Sequence, residues 1–396
     1  MQKVCDLHIH SKFSGGASKN INLYNLASNC MKKGLDIIGT GDCLHLLWLK
    51  ELKRELIEHS DGLFYIEKVP SVNFLLQTEI EAIWRNSSSL KKAHFILTFP
   101  NFEKLENAIE YLSKFGNLNL EGRPQVYLSA ERLIFDLKEI DNYIEIIPAH
   151  IFTPFFGILG AKLDFKSMKE ALKNAQHYVS AIETGLSADP LMVRRISELN
   201  RFSIISNSDS HSLNYHRLGR EATMLDINRM NYYNIIDSIR RNKIIKTYEF
   251  KPSEGKYFYD GHRPDRHSNR KDYFCSPRRN LRICPVCGNE LTKGVLSRVY
   301  ELSDQEPNKK VNFQYIVPLL SLISIVLGGN EYSKANLSIY DKLISNNGGE
   351  FSIWEGKSNF EGIPEHLINA IYKIRNDKFW FIPGHDAVYG KLQLEI

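Results

Sequence analysis

Asp6-Leu7-His8-Ile9-His10 near the start of the chain and Ser208-Asp209-Ser210-His211 far downstream are the stretches that decide the fold. Val4 to His10 alternates as a strand does, so His8 and His10, two residues apart, face one side of a sheet. Two imidazoles on one side can chelate a single ion. The placement recurs along the chain. Leu35 to Gly41 runs into Asp42, with His45 just beyond; Phe74 leads to Glu79; His94 sits in Ala93-His94-Phe95-Ile96-Leu97; Ile144 leads to His150; Ala181-Ile182 leads to Glu183; and Phe202 leads to Asp209 and His211. A lone histidine after an apolar run is more often a core or capping residue than a ligand. Repetition in seven strand-like segments points instead to a multinuclear metal site.

Between these segments the apolar spacing is helical, over 21–34, 47–59, 102–115, 130–141, 165–176, 190–200 and 228–242. Alternating strand and helix implies parallel strands joined by crossover helices, and seven such units in roughly 245 residues suit a closed or nearly closed barrel. Catalytic groups of such barrels sit at the C-terminal ends of the strands, where these ligands fall. The expected fold is therefore α/β, a seven-unit barrel over 1–248, then a small basic module over 249–300 and a helix-rich domain over 301–396.

Two ions about 3.5–4 Å apart can activate water, orient a phosphate and stabilise both oxygens of an in-line displacement. Imidazoles suit Zn, Mn or Fe and carboxylates bridge, so the tightest position favours a transition metal, with Mg or Mn in a looser one. A metal-free site with histidine as general base leaves most of these residues unexplained.

After about residue 250 the composition changes. Arg263, Arg266, Arg270, Lys271, Arg278, Arg279 and Arg282 outnumber Asp265 and Asp272, and Tyr257, Phe258, Tyr259, Tyr273 and Phe274 are interleaved with them. Arginines neutralise phosphates and aromatic rings stack on unpaired bases, so the segment reads as a nucleic-acid surface, with Arg263, Arg278, Arg279 and Arg282 as the DNA contacts. It closes on Cys284-Pro285-Val286-Cys287-Gly288, the knuckle of a structural zinc site that needs four ligands. Cys275 is the expected third ligand, and His262 or His267 the fourth.

The chain has 396 residues and six cysteines, with 43% hydrophobic and 24% charged residues and a formal charge of +5. Six scattered cysteines do not make a disulfide scaffold, which implies a reducing compartment. There is no signal-like N-terminal region, and the longest apolar run, Tyr315 to Leu327, is broken by Pro318, Ser321 and Ser324. The expectation is a cytoplasmic protein without a membrane partner.

These residues resemble the polymerase-and-histidinol-phosphatase (PHP) superfamily, with its His-x-His start, central Glu, isolated histidines and closing Asp-x-His. The resemblance implies one ion held by His8, His10, Glu79 and Asp209, a second reached through Glu79 and held by His94 and His150, and a third served by Asp42, His45 and His211. Many members carry a further histidine or aspartate where this chain has Ser11-Lys12-Phe13-Ser14-Gly15-Gly16. Catalytic candidates are Glu183, Asp209 and His211, with Glu183 open to three readings: ligand, general base or structural carboxylate. Gly261-His262-Arg263, the Cys-Pro-x-Cys-Gly knuckle and Leu291 to Leu302 narrow the likeness to the endonuclease Q family of DNA repair nucleases. That family resemblance covers nearly the whole chain and implies cleavage 5′ to deoxyinosine, deoxyuridine or abasic sites. Damaged DNA is the implied partner, with a sliding clamp or other repair factors as further candidates. Two departures stand out. Pro264-Asp265 occupies the place of a family cysteine, leaving the zinc ligand set rearranged or incomplete, and Gly384-His385-Asp386-Ala387-Val388-Tyr389-Gly390 differs from the family loop at His385 and Ala387. Two other functions compete with this one, a phosphoesterase acting on a small monoester and a DNA-binding protein with structural metals only.

Overall fold

The computed structural model describes residues 1–86, 89–120, 123–279, 281–307 and 310–394. Its centre is a ring of seven strands. Strand β1 (Gln2–Asp6) runs parallel to β2 (Ile37–Gly39), and β2 parallel to β3 (Val69–Asn86). Next, β4 (Ser89–Phe99) lies antiparallel to β3 and to β5 (Glu145–Pro148). The amide of Ile151, beyond β5, donates to the carbonyl of Glu183 at 3.1 Å, which brings in β6 (Ala181–Glu183), parallel to β7 (Ser203–Ile205). A parallel bridge between Ile9 and Ser210 closes the ring.

The expectation of seven parallel strands is corrected at β4. Only two residues separate Asn86 from Ser89, and a parallel connection needs a dozen or more, so β3 and β4 can only form a hairpin. Glu79 and His94 therefore lie inside long strands and not at their ends, with Glu79 opposite Ile96 and Glu81 opposite His94. The expected helix over 47–59 ends at Glu55, because Leu56 turns extended and Ile57 joins a strand, Ile57–Ser60. Over 165–176 and 190–200 the α-helices shrink to Met168–Leu172 and Pro190–Val193, each followed by a 3-10 turn.

Helix α1 (Leu23–Lys33) shows how the outer layer is held. The Asn22 side chain accepts from the Asn25 amide, Leu23, Leu26, Ala27 and Cys30 form the buried stripe, and Gly34 at φ 83° ends the helix. Beyond the ring, β8 (Ala222–Asp226) pairs antiparallel with β1, β9 (Ile244–Glu249) antiparallel with β8, and β10 (Phe313–Tyr315) parallel with β9. The C-terminal region, helix-rich as expected, thus contributes a strand to the barrel's own sheet. One apolar cluster runs from barrel residues such as Leu26 and Tyr248 into Leu319, Leu343 and Phe351. Lys33, fully buried, pairs with buried Glu350 at 2.7 Å across that seam. Among the described residues no helix is long and apolar enough to cross a membrane.

Candidate metal centre and nucleic-acid interface

Glu79 is the hub of the ring's interior. Its carboxylate lies 2.8 Å from His94 Nδ1, 3.0 Å from His150 Nε2, 3.5 Å from His10 Nε2 and 3.6 Å from His8 Nε2. Asp209 Oδ1 stands 3.2 Å from His10 Nε2 and 3.7 Å from His8 Nε2. Two ligand groups result, His8/His10/Asp209 and Glu79/His94/His150. The donor set fits divalent ions on three counts. It mixes imidazoles and carboxylates, it is buried, and His8 Nε2 points into it without a hydrogen-bond partner.

Three of the four imidazoles, those of His8, His10 and His94, are aimed by a second partner, whereas His150 is held through its backbone amide and its Nδ1 is buried without a hydrogen-bond partner. Glu183 accepts from His8 Nδ1 at 3.0 Å, from the His150 amide at 2.8 Å and from Asn207 Nδ2 at 2.8 Å. Asp42 accepts from the Ser11 amide at 2.6 Å, from Ser11 Oγ at 2.7 Å and from His10 Nδ1 at 3.3 Å. Glu81 lies 3.3 Å from His94 Nε2. Such outer partners fix the tautomer and leave the other nitrogen for the ion. Glu183 thus ties together His8, the His150 backbone and Asn207, and it also lines the pocket beside them.

The electrostatics follow from the packing. Burial raises the Glu79 carboxyl, but Arg123 and His94 beside it outweigh burial and hold it well below the carboxylate range. Burial is likewise outweighed at Asp209, by His10 and His8. At His10, burial acts downward, yet Asp209 and Asp42 carry the imidazole up to about 9. Burial and then neighbouring His10 push His211 down to about 4, so it is neutral. Its Nδ1 donates to the Asp209 carbonyl at 3.1 Å, leaving Nε2 free.

The three candidates for a third ion are not gathered. Asp42 is committed to His10 and Ser11, His45 stacks on Phe13 with ring centroids 4.4 Å apart, and His211 lies against the His10 ring at 4.0 Å. Among the described residues no third group of ligand atoms forms in the barrel.

In the basic module His262, His267, Cys284 and Cys287 come together. His267 Nε2 is 3.2 Å from Cys284 Sγ, and His262 Nδ1 is 3.5 Å from Cys287 Sγ. The opposite nitrogens donate to the carbonyls of Lys271 at 2.6 Å and Glu290 at 2.8 Å, so both rings present the ligand nitrogen inward. The Asn289 amide on Cys287 lowers that thiol to about 6. Cys275, the expected third ligand, lies outside this group of four: it packs with Leu291, Cys284 and Cys287 in a small apolar cluster, and burial raises its thiol.

Arg278, Arg279 and Arg282 are exposed, and among the described residues none is paired with a carboxylate. Arg263 differs, its Nε lying 2.7 Å from Asp265. Most of the interleaved aromatics are also taken up internally, Phe274 by stacking on His385 at 4.5 Å and Phe258 on Tyr259 at 5.2 Å. Tyr257 instead meets Phe155 edge-on at 5.8 Å and lines, with Lys256, Leu186 and Arg123, the pocket that opens onto His94, His150 and Asp209.

No family model matches the chain. Over all of its length it superposes on the crystal structure of PfuEndoQ, the lesion-specific endonuclease from Pyrococcus furiosus, with a TM-score of 0.86, 30% identity and 96% of that chain covered. The chain belongs to the endonuclease Q family. The structure of Endonuclease Q with a 27-mer duplex bearing an abasic lesion at the active site matches equally, at TM-score 0.86 and 30% identity over 100% of this chain and 97% of that one. An uncharacterised protein of Methanocaldococcus jannaschii is 32% identical over 276 residues, 66% of this chain, which spans only 34% of that relative's length.

Within this endonuclease Q chain several residues at the centre gave no sign in the sequence. Arg123, on the loop before β-strand Gln125–Val126, reaches the Glu79 carboxylate through Nε. Asp6 accepts from the amides of Ser208 at 3.1 Å and Gly219 at 3.2 Å, tying β1 to the Asp209 turn, and burial raises it to about 6. Only Glu81 carried a signal, two residues after Glu79 and so on the same face of β3.

Proposed function

We propose that the chain is a metal-dependent endodeoxyribonuclease that nicks DNA 5′ to a damaged nucleotide, acting on deaminated bases as well as abasic sites. The observation that carries this reading is the pairing of two ligand groups around Glu79 with a pocket lined by Phe155, Tyr257 and Lys256. His8, His10 and Asp209 would hold one ion, and His94 and His150 another, with Glu79 between them. Bound there, divalent ions activate water and neutralise charge developing on the scissile phosphate. The donor set favours a transition metal, with Mg or Mn serving a looser position, and zinc suits the Cys2His2 group of the basic module.

The protein's own groups do the rest. Glu183 and Asp42 hold His8 and His10 in their working tautomers. His211 stays neutral, with Nε2 free to take a proton. Arg278, Arg279 and Arg282 supply cations for the duplex backbone. The Phe155–Tyr257 pocket takes an extruded nucleotide, since bases in a stacked duplex hide the atoms that distinguish damage. A deaminated base pairs poorly and an abasic site not at all, so extrusion costs less there, by roughly a few kcal/mol.

Labelled duplexes carrying deoxyinosine, deoxyuridine, an abasic site or no lesion, incubated with Mg or Mn, test the reading. The expected product is one nick 5′ to the lesion with a 3′-hydroxyl and a 5′-phosphate. Equal cutting of undamaged duplex, or hydrolysis of small phosphate monoesters alone, would overturn it.

A further inference from the structure

The loop 384–390 joins the last two strands, Trp380–Ile382 and Lys391–Gln393, and touches three parts of the molecule at once. Buried Asp386 accepts from Thr292 Oγ1 at 2.8 Å, the Arg263 amide at 3.0 Å and Arg266 Nε at 2.8 Å, which anchors the basic module. Amides of Gly384, Ala387 and Gly390 donate to the carbonyls of Ser253, Lys256 and Glu254 at 2.8, 2.9 and 2.8 Å, which fixes the segment carrying Lys256 and Tyr257. The third contact enters the barrel. Tyr389 Oη accepts from Arg217 Nη1 at 2.8 Å and from Arg220 Nη1 at 3.2 Å.

Arg220 is buried, and its other nitrogens donate to the carbonyls of Ser208 at 2.8 Å and Asp209 at 3.4 Å. Asp209 sits at φ 47°, a left-handed conformation that a non-glycine residue keeps only when its surroundings impose it. The guanidinium that grips both carbonyls of this turn is such a constraint, and Tyr389 fixes the guanidinium in turn. Without the phenol oxygen, a buried Arg220 N–H loses its acceptor and draws the fork away from the turn.

We propose that Tyr389 is a positioning residue for Asp209, acting through Arg220, so that the seated C-terminal loop sets the affinity of the His8/His10/Asp209 group for its ion. This rests on the metal reading given above. Tyr389→Phe removes one oxygen and keeps the ring. In the full chain, stripped of metal at the barrel and titrated with Mn2+ by calorimetry, the variant is expected to bind roughly tenfold more weakly, the low end for loss of an outer partner. Arg220→Lys should weaken Mn2+ binding as well, and Tyr389→Phe should add nothing in that background. Lesion-duplex affinity should stay unchanged while the single-turnover nicking rate falls with the metal affinity. Unaltered Mn2+ affinity in a folded Tyr389→Phe protein, or additive effects of the two substitutions, would overturn the proposal. Absence of barrel Mn2+ binding in the unsubstituted chain would instead bring down the metal reading itself.

Discussion

Gly185 lies at φ +73°, and a Cβ placed on it would stand 2.4 Å from His150 Cβ. His150 is itself left-handed, at φ 32°, so it has little freedom to move aside. Gly185→Ala should therefore displace the His150 ring from Glu79, remove one barrel ion from metal analysis and slow nicking at least tenfold while the far-UV spectrum is kept. Full metal content with normal nicking would contradict this. At this scale the sequence was legible where ligands are close neighbours, as His8 and His10 are, because strand periodicity alone puts them on one face. Orienting carboxylates were not. Glu183 meets His8 across a separation of 175 residues, and whether a carboxylate binds an ion or aims an imidazole depends on which nitrogen faces it.

Among elements, the basic module shows why the knuckle could be read and its completion could not. Cys284 and Cys287 are set by a local turn, in which the Gly288 amide donates to the Cys284 carbonyl at 2.9 Å. The remaining ligands are set by the pairing of the strands Asp260–His262 and Tyr273–Cys275, which places Cys275 opposite Asp260 and at the far end from His262. Metal analysis should find about one zinc fewer in Cys284→Ser or His267→Ala, with weaker DNA binding, because small metal modules fold with their metal. Cys275→Ser should retain that zinc; losing it would reverse the ligand assignment. The β3–β4 hairpin is a second element that periodicity concealed. Alternation gives a strand but not its direction, and only the short spacing before Ser89 encodes the reversal.

Across the whole molecule, charge and burial set two condition dependences. On the proposal that the exposed arginines meet phosphates, raising salt should weaken binding to damaged and intact duplex alike while the preference for cutting at the lesion persists; gel-shift and nicking assays over one salt series check both halves. Burial raises the carboxyls of Glu249 and Glu254 to about 8, against 4.5 when unburied. Between those values the folded chain binds more protons than the unfolded one, so stability contributed by these groups is complete below 4.5 and is lost as pH rises toward 8. Glu254, whose Oε2 has no hydrogen-bond partner, is the cleaner probe. Glu254→Gln should flatten the decline of Tm between pH 5 and 8 in thermal unfolding, and an unchanged slope would count against it. Barrel and helix-rich region also share a sheet and a core, since β10 extends the barrel sheet and Lys33 meets Glu350 among apolar residues common to both. Cutting the chain near residue 250 would leave the Lys33 ammonium without its carboxylate, open the β9 edge and expose the apolar face that Leu319, Leu343 and Phe351 cover. The barrel is therefore no portable cassette. Grafting its chemistry onto another DNA reader would require transplanting β10 and the Glu350 turn along with it.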